Sequence, residues 1–331
     1  MEKQKLNELI SLWDVGEILS FKKATKGVVN TNWIVKTTNG KYIFRKVTKE
    51  KKLSDLKFEL EYLDYLKNKK FPYQIPAPIK NRKGNFFIQK ENSFFWIYEF
   101  IEGRDIKRFS YPELKECAKM MALYHKLIEK SNLNNKKGVG DVFNRKPVLN
   151  ELQEFNESIL RKSKQDKKEK IFLKEASVLI PLLKSLDGKE YSKIPKYPLH
   201  RDINPENTLW KNKKLVGVID FENVGSQNDT TIKDIAGMLQ YSCRDKNHRH
   251  KLDLKLAKFF IKEYRKYHQL SKKEIEFLPD VITAGAIEDF SYSYWMLLND
   301  PERAKIYRLK LYSKVAQWFN KNKEKIIKKI Q

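Results

Sequence analysis

Cysteine is scarce in this 331-residue chain, which contains only Cys117 and Cys243. The two residues are far apart, and neither belongs to a Cys-x-x-Cys pair or to a pattern with histidine. This usage argues against a disulfide framework and against a thiolate metal site. We expect a protein of a reducing compartment, and specifically of the cytoplasm.

Long hydrophobic runs are lacking too. The strongest one, residues 94–101, contains Glu99 and is far shorter than the roughly 20 residues that span a bilayer as a helix. The first residues, Met1 to Lys5, lead into an amphipathic stretch that is unlike the apolar core of a secretory signal. The sequence therefore predicts neither a membrane span nor an export signal.

Arginine is rare relative to lysine, since it supplies 12 of the 68 basic residues in a chain of net charge +26. Proteins that bind nucleic acid usually concentrate arginine, whose guanidinium forks onto phosphates and bases. The lysines here are spread along the chain in runs such as residues 49–52, and no nucleic-acid-binding motif is evident. We interpret them as solvated surface charges that attract anions in general, and we expect no specific nucleic-acid partner.

The hydrophobic and aromatic contents, 40% and 12%, are those of a folded globular chain. Residues 1–20 predict a helix. Two β-like runs, residues 33–38 and 41–47, flank Asn39-Gly40, a strong hairpin signal. Leucines at helical spacing between residues 52 and 70 predict a second helix. Further strands are predicted at residues 85–90 and 94–100.

Beyond Gly103 the patterns become mostly helical, with one β-rich stretch at residues 197–224. The sequence therefore predicts an α+β fold in two lobes. The division falls between a β-rich lobe, residues 1–101, and a larger α-rich lobe, residues 102–331.

The β-rich stretch of the second half carries polar residues at a spacing that suits phosphoryl transfer. Asp202 lies in a predicted loop, Asn207 follows five residues later, and Asp220 ends the next hairpin. Phosphoryl transfer needs a carboxylate that orients the attacking hydroxyl, and oxygen ligands for the Mg²⁺ that accompanies the triphosphate. The alternative is an ordinary turn, because Asp, Asn and Pro are common turn residues.

The pattern His-x-Asp-x-x-x-x-Asn, followed by an Asp across a hairpin, resembles the protein-kinase-like superfamily. The resemblance implies a bilobal fold with a small antiparallel sheet in the first lobe, and ATP or GTP as phosphoryl donor. It also implies that Asp202 is the catalytic base, that Asn207 and Asp220 bind Mg²⁺, and that His200 braces the loop.

Three departures separate the chain from the protein kinases of that superfamily. It has no Gly-x-Gly-x-x-Gly loop, and Asp220 is followed by Phe-Glu instead of Phe-Gly. Only 13 residues separate Asp220 from Asp234, which leaves no room for an activation loop that binds a protein substrate. With Asp234-Ile-Ala and the Gly-Val-Val-Asn-Thr-Asn-Trp segment at residues 27–33, the chain resembles the aminoglycoside phosphotransferase, choline kinase and homoserine kinase group. That resemblance covers roughly residues 20–240 and implies that Asp234 braces the catalytic loop.

In the first lobe, the strand after Asn39-Gly40 offers Arg45 and Lys46, whose side chains alternate between its two faces. The family's Tyr-x-Leu-[Lys/Arg] strand matches residues 42–45, so Arg45 is preferred as the phosphate-binding cation, with Lys46 as the alternative. Its expected partner is Glu59 on the following helix, with Glu61 as the alternative.

The same resemblance implies the remaining contacts to the nucleotide. The backbone near Gly27 is expected to cover the phosphates. The backbone from Glu99 to Ile101 is expected to bind adenine at the connection between the lobes.

The acceptor is expected between the catalytic loop and helices of the second lobe. The candidates are acidic or aromatic, namely Glu222, Glu288, Asp289, Tyr292 and Trp295. Glu288, Tyr292 and Trp295 share one helical face, which suits a cationic amine or a sugar. An ordinary amphipathic helix explains that face equally well.

The sequence thus predicts an ATP-dependent kinase, monomeric or homodimeric, that phosphorylates a hydroxyl of a small metabolite. The acceptor classes considered are amino alcohols, sugars, aminoglycosides and homoserine-like compounds. The alternatives are an atypical protein kinase, a catalytically silent nucleotide-binding module, and a nucleic-acid-binding protein that uses the basic surface.

Overall fold

The structure, a computed structural model, describes residues 3–25, 30–48, 50–133, 143, 145–224 and 228–331. Its internal contacts divide the chain into two compact units. The first unit comprises Met1–Lys107, Lys130–Asn135 and Pro205–Ser226, and the second comprises Arg108–Glu129, Lys136–Asn204 and Gln227–Gln331. The segment around Asp220 thus packs with the β-rich part of the chain. The lobe boundary at residues 101/102 stays a prediction.

The strands of the described residues are short and antiparallel. They are β1 (Ile18–Lys23), β2 (Thr31–Thr37), β3 (Lys41–Lys46), β4 (Ile88–Lys90), β5 (Ser93–Glu99), β6 (Tyr197–Pro198), β7 (Thr208–Lys211), β8 (Lys214–Val218) and β9 (Asn228–Asp229).

The helices are α1 (Lys3–Ile10), α2 (Leu53–Asn68), α3 (Tyr111–Ile128), α4 (Lys146–Leu160), α5 (Lys167–Ser185), α6 (Ile232–Ser242), α7 (Leu254–Arg265), α8 (Lys272–Asn299), α9 (Tyr307–Lys321) and α10 (Lys323–Ile330). Among the described residues, no helix is long and apolar enough to cross a membrane.

The first unit is built on a five-stranded sheet of order β1-β2-β3-β5-β4. The predicted hairpin at Asn39-Gly40 joins β2 to β3, and the amide of Thr37 donates to the carbonyl of Gly40 at 2.8 Å. Phe44 of β3 stacks on Phe95 of β5 with ring centroids 5.5 Å apart, in a buried cluster that also includes Trp13. In helix α2, Leu56, Leu60, Leu63 and Leu66 are buried as their spacing predicts, whereas Leu53 at its start is exposed.

The helix predicted over residues 1–20 is shorter in the structure and ends at Ile10. Gly16 has a φ of +81°, in the left-handed region that disfavours any residue with a Cβ. The chain therefore turns before β1 starts at Ile18. Because the apolar residues continue to Trp13, the hydrophobic pattern alone overestimated the length of the helix.

The second unit is mainly helical, and α8, with 28 residues, is its longest described helix. A capping box between Ser271 and Glu274 starts α8. Its buried face carries Phe290 and Tyr294, whose rings lie 5.3 and 4.2 Å from the ring of Phe172 in α5. Strand β6 leads into the Asp202 loop, and strand β9 leads into helix α6. Because β6 and β9 pair with each other, they bring the loop and the start of α6 together.

Candidate active site

A cavity of about 740 Å³ opens in the first unit. Its lining combines aliphatic and aromatic side chains with several polar and charged ones. The apolar residues include Ile34, Ile43, Phe100, Ile101, Leu209 and Ile219, and the polar residues include Asn30, Asn32, Arg45, Asn207, Asp220 and Glu222. A nucleotide matches this combination, because its base has apolar faces and its phosphates are charged.

The two predicted metal ligands, Asn207 and Asp220, both line this cavity. Asn207 ends the one-turn helix Pro205–Asn207, and its carbonyl accepts from the amide of Ile219 at 3.0 Å, which fixes the start of the Asp220 turn beside it. Amide and carboxylate oxygens are donors that suit Mg²⁺, an ion that usually takes its remaining ligands from phosphates and water. Among the described residues, no group of three or more His, Cys, Asp and Glu side chains forms a metal site by itself.

Arg45 is the positively charged side chain among the described residues that line the cavity. Its Nε donates to Asn32 Oδ1 at 2.9 Å, directly across the β2–β3 ladder, and one terminal nitrogen donates to the hydroxyl of Tyr98 at 3.4 Å. Although burial alone lowers the pKa of this guanidinium, its interaction with Tyr98 and the nearby carboxylates raises the pKa overall. Lys46, the alternative, alternates to the other face, where its Nζ lies 6.0 Å from the ring of Phe95.

Glu59 is near enough to Arg45 for its charge to raise the pKa of the guanidinium, but its ion pair is with another cation, and the predicted role of Glu59 as partner of Arg45 stays a prediction. Glu59, whose side chain is 3% exposed, forms its ion pair with Lys51, and Glu61 is exposed. Lys51 also donates from Nζ to the carbonyl oxygen of Glu222 at 3.1 Å. Arg45 is already hydrogen-bonded within the sheet, whereas Lys51 lies two residues before α2 and reaches the side chain of Glu59.

Glu222 lies in the cavity with Asp220. Its Oε2 accepts from Asn30 Nδ2 at 2.9 Å, and Asn30 Oδ1 accepts from the amide of Thr48 at 3.0 Å. Burial, together with the charge of Asp220, raises the pKa of the Glu222 carboxyl. Two neighbouring carboxylates would repel a triphosphate unless a divalent cation lies between them, so this electrostatic arrangement also fits Mg²⁺.

Of the backbone segment predicted to bind adenine, residues 99–101, only part lines the 740 Å³ cavity. Phe100 and Ile101 line the cavity, and the amide of Phe100 donates to the carbonyl of Lys41 at 2.8 Å. Glu99 lines a separate cavity of about 320 Å³ in the same unit. Gly27 lies outside the described residues.

The Asp202 loop belongs to the second unit and is fastened there by hydrogen bonds. Asp202 Oδ1 accepts from Asn204 Nδ2 at 2.7 Å, and the amide of Asp202 lies 3.3 Å from Nδ1 of the fully buried His200. The amide of Arg201, which has a φ of +66°, donates to Asp234 Oδ1 at 2.8 Å. His200 and Asp234 thus both contact the backbone of the loop, and their bracing role stays a prediction.

A buried chain of polar side chains continues from Asp234. Asp234 Oδ2 lies 3.3 Å from His125 Nε2, and His125 Nδ1 lies 2.7 Å from the hydroxyl of Tyr264. Sequence reasoning missed His125 and Tyr264, because both stand on apolar helical faces where they resemble ordinary core residues. Only their buried position next to an acidic side chain distinguishes them.

Four acceptor candidates lie on α8 in the second unit, whereas Glu222 belongs to the first. Glu288 pairs with Lys233 of α6 at 3.1 Å. Asp289 accepts hydrogen bonds from the side chains of Gln240 and Tyr241, and burial raises its pKa to about 6.

The rings of Tyr292 and Trp295 stack with centroids 5.8 Å apart, and the two residues are 58% and 41% exposed. Four of the five candidates are thus gathered on one helix, as two acidic groups with polar partners and an exposed aromatic pair.

Comparisons with known proteins show the family and the fold of the chain. A family model described as a phosphotransferase enzyme family matches residues 20–270. A homoserine kinase of Bradyrhizobium sp. (strain ORS 278) is 26% identical over 292 residues, which are 86% of this chain and 82% of that protein.

Two solved structures are similar over nearly the whole chain. One is a spectinomycin phosphotransferase in complex with ADP and spectinomycin, with a TM-score of 0.71, 15% identity, and coverage of 97% of this chain and 99% of that one. The other is a microcompartment-associated aminopropanol kinase, with a TM-score of 0.67, 12% identity and 98% of each chain covered. These likenesses confirm the predicted α+β, protein-kinase-like fold.

Proposed function

The chain belongs to the APH phosphotransferase enzyme family and is an ATP-dependent kinase of small molecules, and we propose that it phosphorylates the hydroxyl of a short-chain amino alcohol or hydroxy amino acid. Homoserine is the first candidate. The family assignment confirms the predicted phosphotransferase with a hydroxyl acceptor. We propose further that the reaction uses Mg²⁺, and that the protein is cytoplasmic and monomeric or homodimeric.

In the proposed reaction, the acceptor oxygen attacks the γ-phosphorus of ATP in line with the bond to the β,γ-bridging oxygen. That bond breaks, ADP leaves, and the hydroxyl proton passes to the carboxylate of Asp202. Asn207 and Asp220 hold Mg²⁺, which when bound neutralises charge on the triphosphate. Arg45 binds the phosphates as a cation that stays protonated. No phosphoenzyme is needed.

The observation that carries the acceptor class is the ion pair between Lys233 and Glu288 at 3.1 Å. Lys233 is the residue before Asp234, which bonds the backbone of the Asp202 loop, so the pair belongs to the same compact unit as the proposed base. A lysine and a glutamate side by side complement an ammonium and a carboxylate carried on one small molecule. Homoserine is such a zwitterion with a free hydroxyl.

The similar proteins support the same class. The homoserine kinase and the aminopropanol kinase are both named for acceptors that join an amine to a hydroxyl on a short chain. The two differ in the carboxylate, which aminopropanol lacks. A lysine beside the acceptor therefore favours the amino acid over the simple amino alcohol.

The test is ADP formation from ATP, and separately from GTP, with homoserine, aminopropanol, ethanolamine, choline, spectinomycin and hexosamines. We expect homoserine to give the highest kcat/KM, and Asp202→Asn to abolish acceptor-dependent turnover while the exposed Asp187→Asn leaves it unchanged. In Lys233→Met, we expect the KM for homoserine to rise at least tenfold and the weaker turnover of aminopropanol to persist. Equal use of both acceptors by the intact protein and by Lys233→Met would reject the proposed carboxylate contact.

A further inference from the structure

We propose that Lys51 and Glu59 act as a clamp that holds the turn Asp220–Glu222 in its metal-binding conformation. In this arrangement Glu59 of α2 supports the turn through Lys51, and it acts on Arg45 only through its charge. The inference deepens the proposed function and rests on it, since it assumes that Asp220 binds the metal ion of the nucleotide.

The clamp is built from largely buried charges. The side chain of Lys51 is 10% exposed and that of Glu59 is 3% exposed, and the two form an ion pair. The same ammonium donates to the carbonyl oxygen of Glu222 at 3.1 Å. Among the described residues, Lys51 is not one of those that line the 740 Å³ cavity, so its contacts are to the turn and not to the space a nucleotide would occupy.

The turn needs support, because its backbone is strained. Asp220 has a φ of +70°, a left-handed conformation that costs free energy for a residue with a Cβ and persists only where the surroundings hold it. The next side chain, Phe221, is buried with its ring 6.4 Å from that of Tyr62 in α2. A charged donor to the following carbonyl adds a charge-assisted hydrogen bond, which is stronger than a neutral one.

Arg45 has hydrogen-bond partners other than Glu59, whose charge also contributes to the raised pKa of the guanidinium. Its partners are Asn32 and Tyr98, both on strands of the same sheet. Loss of the Lys51–Glu59 pair should therefore leave Arg45 in place and disturb the metal turn. The two cations, although close in sequence, have separable effects on nucleotide binding: Arg45 acts on the phosphates directly, and Lys51 acts as a positioning residue for Asp220.

The test is the affinity for a fluorescent ATP analogue, measured once with Mg²⁺ and once with EDTA. The variants are Lys51→Met, Lys51→Arg and Glu59→Gln, with the exposed neighbour Lys52→Met as the matched control. We expect Lys51→Met to weaken binding about tenfold with Mg²⁺ and less than about twofold with EDTA, because about one charge-assisted hydrogen bond to the metal turn is lost. Lys51→Arg should restore part of the affinity, and Lys52→Met should match the intact protein.

The double variant Lys51→Met/Glu59→Gln should bind no more weakly than Lys51→Met alone, because the two residues act as one unit. Hydrogen exchange of the amides of residues 219–224 should quicken in Lys51→Met and stay unchanged in Lys52→Met, which is a readout independent of nucleotide. Equal weakening with Mg²⁺ and EDTA, or unchanged exchange in this segment, would reject the clamp alone. An intact protein whose nucleotide binding ignores Mg²⁺ would reject the metal site of the proposed function, and the clamp with it.

Discussion

Replacement of Asp234 tests whether this residue holds the Asp202 loop in place without taking part in the reaction itself. Asp234 is 4% exposed and accepts from the amide of Arg201 at 2.8 Å, while His125 lies 3.3 Å from its second oxygen. In Asp234→Ala both neighbours lose a buried partner, at a cost of about 1–3 kcal/mol each. We therefore expect a loss of about 2–6 kcal/mol in the free energy of unfolding, compared with a total of about 5–15 kcal/mol for an ordinary domain.

Asp234→Asn should cost far less. Its amide oxygen can still accept from the backbone of Arg201, and its NH₂ group can donate to His125 Nε2 if the imidazole carries its proton on Nδ1. That nitrogen would then donate to the hydroxyl of Tyr264, 2.7 Å away. The hydrogen bonds from residue 234 through His125 to Tyr264 are then all kept, and we expect the free energy of unfolding to fall by about 1 kcal/mol.

Urea unfolding of the two variants measures both costs, and steady-state kinetics measures their effect on the loop. We expect kcat to fall more than the KM for ATP changes, and more in Asp234→Ala than in Asp234→Asn. Asp187→Ala, in an exposed position, is the control. Equal unfolding free energies for the intact protein and Asp234→Ala would refute the bracing role, as would an unchanged kcat in that variant.

Three further predictions concern pH, backbone and surface. Because burial raises the pKa of Asp289 to about 6, its negative charge is lost as the pH falls through that value, so the KM for a cationic acceptor should rise below pH 6, and not in Asp289→Asn. Gly16→Ala should lower the free energy of unfolding by about 1–3 kcal/mol, since a Cβ there collides with neighbouring side chains at positive φ, whereas Gly84→Ala, with open space, should cost about 1 kcal/mol. Tyr292→Ala should weaken binding of a cationic acceptor about threefold to tenfold at unchanged thermal stability, with the equally exposed Tyr307→Ala as control.

Much of the fold follows from local sequence signals. Asn39-Gly40 forms the predicted hairpin, because few other dipeptides fit its tight turn. Four leucines of α2, Leu56, Leu60, Leu63 and Leu66, are buried at the predicted helical spacing. The ends of elements were harder to predict, since α1 ends at Ile10 although buried apolar side chains continue to Val15.

In the candidate site, too, some residues could be predicted from the sequence and others could not. Asn207 and Asp220 could be predicted because they lie close together in the chain on either side of one hairpin, and the structure brings them to one cavity. The contacts of Lys51 could not be predicted, because nothing in the sequence distinguishes a lysine that forms a buried ion pair from a solvated lysine in the same charged run. His125 was missed for the related reason that its partner Asp234 is distant in sequence.

The most direct test of the central claim follows the γ-phosphoryl group itself. ATP labelled in that group is incubated with homoserine and the intact protein, and the products are separated into protein, nucleotide and small molecules. We predict that the label moves to homoserine in a one-to-one ratio with ADP, that none stays on the protein, and that Asp202→Asn transfers none. Label on the protein, or release as inorganic phosphate at a rate that no small acceptor changes, would contradict direct transfer to a small-molecule hydroxyl.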